Sequence, residues 1–180
     1  GSLKNLRADQ LGTAVINGIL NKCNITRGDI DEVIMGQVLI GGTGQNAARQ
    51  AAINAGIPVS KPAYIINQVC GSGLRAVIAG FQSIKLGDIN IVLSGGQENM
   101  SIASELILKK NKKNISNKDT VNLMINDGLI DAFNNYHMGI TAENIAKKYN
   151  ISRDEQDTFA LNSQNKTQIA MRDRCFEKKQ

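Results

Sequence analysis

Large aromatic rings are almost missing: the chain has no tryptophan, four phenylalanines and three tyrosines in 180 residues. Its core therefore has to be aliphatic, and the supply of Ile, Val, Ala and Gly suits helices packed closely on a sheet. Cysteines are few and scattered, at positions 23, 70 and 175. That excludes a disulfide framework, and without a CxxC pair there is no zinc signature. A reducing, cytoplasmic setting is the expectation, with no metal site. No apolar stretch is long enough for a membrane span, and no signal peptide is visible, so no membrane partner is expected. The chain opens on Gly-Ser with no initiator methionine, and its true N-terminus is expected to lie upstream.

The formal charge of +5 invites a nucleic-acid reading, but its distribution argues against one. Lys109, Lys110, Lys112, Lys113 and Lys118 share one Asn-rich loop, and Arg172, Arg174, Lys178 and Lys179 share the C-terminal tail. Neither cluster is interleaved with aromatics or set in a nucleic-acid motif. They read as solvated basic surface, which still attracts an acidic, phosphorylated ligand.

Hydrophobic spacing predicts a helix from Arg7 to Lys22, a strand from Glu32 to about Leu39, and an Ala-rich helix from Gln45 to Ala55 stopped by Gly56. A short strand, AYIINQ, ends just before Cys70. A helix with one apolar face (Leu74, Val77, Ile78, Phe81, Ile84) follows and closes at Gly87, and INIVLSGG is the next strand. This alternation predicts an α/β fold with a largely parallel sheet and right-handed crossovers. From residue 101 the composition turns polar, and no long strand is expected before residue 136. A short helix is expected over Thr141–Tyr149, and another from a Ser152/Glu155 capping box to about Met171. Residues 1–100 thus read as an α/β domain and 101–180 as an appended loop domain.

In NQVCGSGLRAVIAG (Asn67–Gly80), Cys70 sits where a strand passes into a helix. Unpaired N–H groups and the helix dipole favour negative charge at such a place, and a thiol there is expected to ionise readily. Gly71, Ser72 and Gly73 keep bulk away, and their amides can face a developing oxyanion. Equally, cysteine is a common small core residue, and Gly-Ser-Gly is a common turn. The residues alone leave both readings open.

The surrounding segments resemble the thiolase family. NQVCGSG is similar to its active-site pattern of Asn, two residues, Cys, then Gly/Ala-Ser-Gly. GQVLIGGTGQNAARQAAINAGIP resembles the segment before that cysteine, and GDINIVLSGGQENMS the strand and turn after it. DGLIDAFNNYHMGITAENIAKKYNISRDEQDTFALNSQ resembles the loop domain of short-chain thiolases. The resemblance implies a layered αβαβα fold, here an incomplete N-terminal half with part of the loop domain. It implies that Cys70 accepts an acyl group from acetyl-CoA, and that a second acetyl-CoA then attacks to give acetoacetyl-CoA and CoA. Coenzyme A is then substrate and product, with no other cofactor. His137 and Met138 are implied to line the pantetheine and acyl pocket, although an isolated loop histidine is more often structural.

Other features read as structural. Glu98-Asn99-Met100 is expected to bond backbone at a strand end. Gly41-Gly42-x-Gly44 lacks the Lys-Ser/Thr of a phosphate loop and reads as a turn or dimer contact. Cys23 and Cys175 match nothing catalytic.

The chain lacks the family's GHP histidine, C-x-G-G-G cysteine and NEAF asparagine. It is therefore expected to be an inactive fragment of an enzyme that is a homodimer or homotetramer when whole, with the basic 101–118 region near a tetramer contact. The resemblance is also taken to place a missing first strand between the strands around VIMG and VLSGG. Two other functions stay open: a 3-ketoacyl-CoA thiolase of broader chain length in fatty-acid degradation, and a non-catalytic acyl-CoA-binding or assembly module.

Overall fold

The computed structural model describes residues 1–107 and 120–175. The five loop lysines between 109 and 118, and Lys178 and Lys179, lie outside the described residues. The chain divides into two compact units, Gly1–Leu129 and Ile130–Gln180. The spatial division falls well beyond residue 101, where the composition changes.

In the first unit, α1 (Ala8–Lys22) leads to β1 (Glu32–Gly36), α2 (Ala47–Asn54), β2 (Ala63–Ile66), α3 (Ser72–Leu86) and β3 (Val92–Gly96). The sheet has the order β2-β1-β3, and both pairings are parallel. From β1 the chain crosses one way to β2 and then back past β1 to β3. A constant right hand puts the two crossover helices on opposite faces. Val33 and Met35 accordingly pack with Ile16, Leu20 and the alanines of α2, while Gly36 meets the first turn of α3. Alternation along the strand sends Ile34 to the α3 side. Val33, Ile34 and Met35 are fully buried, each contributing roughly 1.5–3 kcal/mol of transfer free energy. These aliphatic contacts form the core that the scarcity of aromatics requires.

Within these residues β1 and β3 pair directly, from Glu32 with Val92 to Gly36 with Gly96. The parallel ladder is continuous there, and its backbone groups have partners. Two strands are also shorter than their apolar patterns. β1 stops at Gly36 because the Glu98 carboxylate accepts the N–H groups of Val38 and Leu39. β3 begins only at Val92 because the Asp31 carboxylate accepts those of Asn90 and Ile91. A carboxylate at each end of the sheet thus replaces ladder partners.

The polar region after residue 101 holds more structure than its composition suggests. β4 (Glu105–Ile107) pairs antiparallel with β5 (Thr120–Asn122), and α4 (Leu123–Gly128) follows. The second unit contains α5 (Met138–Tyr149) and α6 (Arg153–Arg172). Ser152 caps α6 with the expected box: its Oγ accepts the Glu155 N–H, and the Glu155 carboxylate accepts the Ser152 N–H. Among the described residues no helix is long and apolar enough to cross a membrane.

Candidate active site

Three loops leave the carboxyl ends of the parallel strands on one edge, and a cavity of about 420 Å³ lies among them. Residues after β1 (Val38, Leu39), after β2 (Val69, Cys70) and after β3 (Glu98, Met100) all line it. Clefts outside the carboxyl ends of such strands are the usual ligand sites of open α/β sheets. Met124 and Leu129, from the segment read as a polar insertion, extend the apolar wall. Their signal lay in the apolar residues of VNLMINDGL, which are too few to show a period.

Cys70 is an exposed free thiol on this wall, immediately before the Gly71 N-cap of α3. Two features fix the turn that carries it. Gly36 lies under the first turn of α3, where a Cβ would collide with Gly73 N and come within 2.6 Å of the Ser72 carbonyl oxygen. The helix end therefore rests directly on the sheet. The second feature is Val69, whose φ of 47° is left-handed. For a β-branched residue this is an outlier, costing on the order of 1–3 kcal/mol. Asn67 Oδ1 accepts the Val69 N–H, and the Val69 carbonyl accepts from both Ser72 N–H and Ser72 Oγ. Ser72 Oγ also accepts the Gln68 N–H at 2.8 Å.

The three residues expected to offer amides are not equivalent. Gly71 N–H donates to Gln68 O and Ser72 N–H to Val69 O, so the turn itself engages both. Among the described residues only Gly73 of the three has no backbone acceptor for its N–H. Glu98 and Asn99 hold backbone, as expected. Glu98 fastens the loop after β1, and Asn99 Nδ2 donates to the carbonyls of Leu3, Lys4 and Leu6. Beneath them a buried pair, Gln97 Nε2 to Gln37 Oε1 at 2.8 Å, joins the ends of β1 and β3. The glycine loop is a turn, with Gly42 and Gly44 at positive φ.

His137 and Met138 belong to the second unit. His137 is the N-cap of α5, and its Nδ1 accepts the Gly139 N–H at 3.0 Å. That bond leaves Nε2 as the ring nitrogen available to a ligand. Met138 opens the helix and is partly exposed. The preceding loop is shaped by Asp131, whose carboxylate accepts the N–H groups of Phe133 and Asn134. Those backbone bonds hold its pKa below the usual carboxylate range. Cys23, just past the end of α1, and Cys175 are exposed. No group of three or more potential metal ligands occurs among the described residues.

Residues 1–179 match the family described as Thiolase, N-terminal domain. An acetyl-CoA acetyltransferase of Pseudomonas aeruginosa is 51% identical over 172 residues, covering 95% of this chain and 44% of the relative. One from Allochromatium vinosum is 51% identical over 181 residues, covering 98% and 45%. A crystal structure of a thiolase from Ascaris suum in complex with coenzyme A superposes with a TM-score of 0.90 at 32% identity. It aligns over 99% of this chain and 46% of that one. The chain thus spans a little under half the length of these relatives.

Proposed function

Because the chain belongs to the thiolase family, we propose that it supplies the nucleophile for acyl transfer between coenzyme A thioesters. The observation that carries this reading is Cys70, exposed on a cavity at the carboxyl ends of three parallel strands and seated at the start of α3. Its thiolate attacks the carbonyl carbon of acetyl-CoA, and the tetrahedral oxyanion faces the Gly73 N–H, which the turn leaves unengaged. Collapse expels the CoA thiolate, which takes a proton, and leaves acetyl-Cys70. A second acetyl-CoA, having lost a proton from its methyl carbon, attacks that thioester. Acetoacetyl-CoA departs and the Cys70 thiolate returns. Thiolysis is the reverse.

His137 is the one histidine, and we assign it with Met138 to contact with pantetheine and acyl group rather than to proton transfer. The groups that deprotonate Cys70 and the acetyl methyl are supplied from outside these 180 residues. Coenzyme A is substrate and product, and the scheme requires no metal. A homodimer or homotetramer in a reducing, cytoplasmic setting is the assembly proposed with it.

The test is mass spectrometry of the intact protein after incubation with acetyl-CoA. An acetyl increment should appear on the Cys70 peptide and vanish in Cys70→Ser. No increment, or one that survives the substitution, would remove the nucleophile assignment. Comparing turnover of acetoacetyl-CoA with that of longer 3-ketoacyl-CoA esters separates the short-chain reading from the degradative one.

A further inference from the structure

We propose that Val69 and Ser72 are positioning residues, a strained turn and its lock, that aim the Cys70 sulfur at the thioester carbonyl. This rests on the acyl-transfer reading above and names the device that makes it work. Valine is ill suited to its backbone here, since a branched Cβ disfavours the left-handed region. Val69 is also 47% exposed, so burial does little to offset that strain. The conformation persists because the surroundings over-determine it.

Each backbone group flanking the nucleophile is fixed. Asn67 Oδ1 holds the Val69 N–H, and Ser72 holds the Val69 carbonyl through both N–H and Oγ. Ser72 Oγ takes the Gln68 N–H as well, and Gln68 O takes the Gly71 N–H. Ser72 is 4% exposed, and its hydroxyl is engaged in both directions. Its task is therefore to close the turn rather than to meet an oxyanion. Between the end of β2 at Ile66 and the start of α3 at Ser72, every residue flanking Cys70 takes part in at least one of these bonds. The cysteine's place above the cavity is set before substrate arrives.

A stiff mount matters for acyl transfer more than for simple alkylation. Attack on a bound thioester needs the sulfur on a defined approach to the carbonyl, and misplacement of about 1 Å can cost on the order of a hundredfold. A small freely diffusing alkylating agent needs only an accessible thiolate. The readout is therefore a ratio: the rate of Cys70 acetylation by acetyl-CoA over its rate of alkylation by iodoacetamide, in the intact protein.

Val69→Gly keeps the left-handed region accessible without strain but removes the stiffness. It should lower the ratio by about ten- to a hundredfold. Ser72→Ala should lower it in the same direction. Val69→Asn, which tolerates positive φ, should recover most of the loss, and circular dichroism should show all three variants folded. A ratio unchanged in both Val69→Gly and Ser72→Ala overturns the inference. So does an equal fall in both rates, because that is what a folding defect alone produces. Should the parent protein itself fail to acetylate, the acyl-transfer reading falls first, and the inference falls with it.

Discussion

The unit that carries Cys70 and the unit that carries His137 are built by different physics. In the first, strands from three parts of the chain converge on one edge, and Val33, Ile34 and Met35 are sealed between layers of helix. In the second, neither α5 nor α6 has a buried residue, and Phe133 and Phe159 are 96% and 78% exposed. Its order comes from local devices: the Asp131 turn, the His137 cap and the Ser152 box. A residue seated on long-range packing cannot shift without disturbing a core. A helix start held by a local cap can adjust at small cost.

The comparison is tested most severely at Gly36. Gly36→Ala inserts a Cβ between sheet and helix, against Gly73 N and the Ser72 carbonyl. Both obstacles are backbone, so α3 must lift. Denaturant unfolding should show a loss of about 1–3 kcal/mol, together with a drop in Cys70 acetylation. A variant with unchanged stability and unchanged acetylation would mean that the helix end does not rest on this glycine.

A smaller loss is expected from Asp9→Asn. Asp9 is buried at the start of α1 and takes two hydrogen bonds from Arg7, which hold its pKa below the ordinary carboxylate range. A carboxylate with a lowered folded-state pKa contributes stability that is present above its unfolded pKa and lost as pH falls through the folded one. The variant should therefore be less stable than the parent at neutral pH, and the two should converge in acid. A deficit independent of pH would assign the effect to packing.

The α/β layering was readable from periodicity because each element faces the core on its own rhythm, 3.6 or 2. The place of Cys70 was readable because the strand, the cysteine and the glycine-rich helix start are contiguous. What escaped depends on partners far along the chain. The strand from Glu32 reads as apolar through Leu39, yet it ends at Gly36 because Glu98, some sixty residues away, captures the next amides. Asp31 does the same to Asn90 and Ile91. Val69 was invisible for a different reason: a branched residue is the last one composition would place at positive φ. Met124 and Leu129 join the cavity only through the folding of a segment too short to show periodicity.

The mildest break falls on the second unit. Ser152→Ala removes the hydroxyl that accepts the Glu155 N–H and frees the Glu155 carboxylate from its bond to the Ser152 hydroxyl. The backbone bond from Ser152 N–H to Glu155 can persist, so the cap is weakened rather than abolished. The cost should be about 1 kcal/mol, confined to the first turn of α6. Hydrogen exchange should speed up in residues 153–157 and stay unchanged in β1 and α3. Acetylation of Cys70 should not change, because no bond of the Val69–Ser72 turn reaches residue 152. If exchange instead accelerates across β1 and α3, the two units share one cooperative core, and the distinction between a packed first unit and a locally capped second fails.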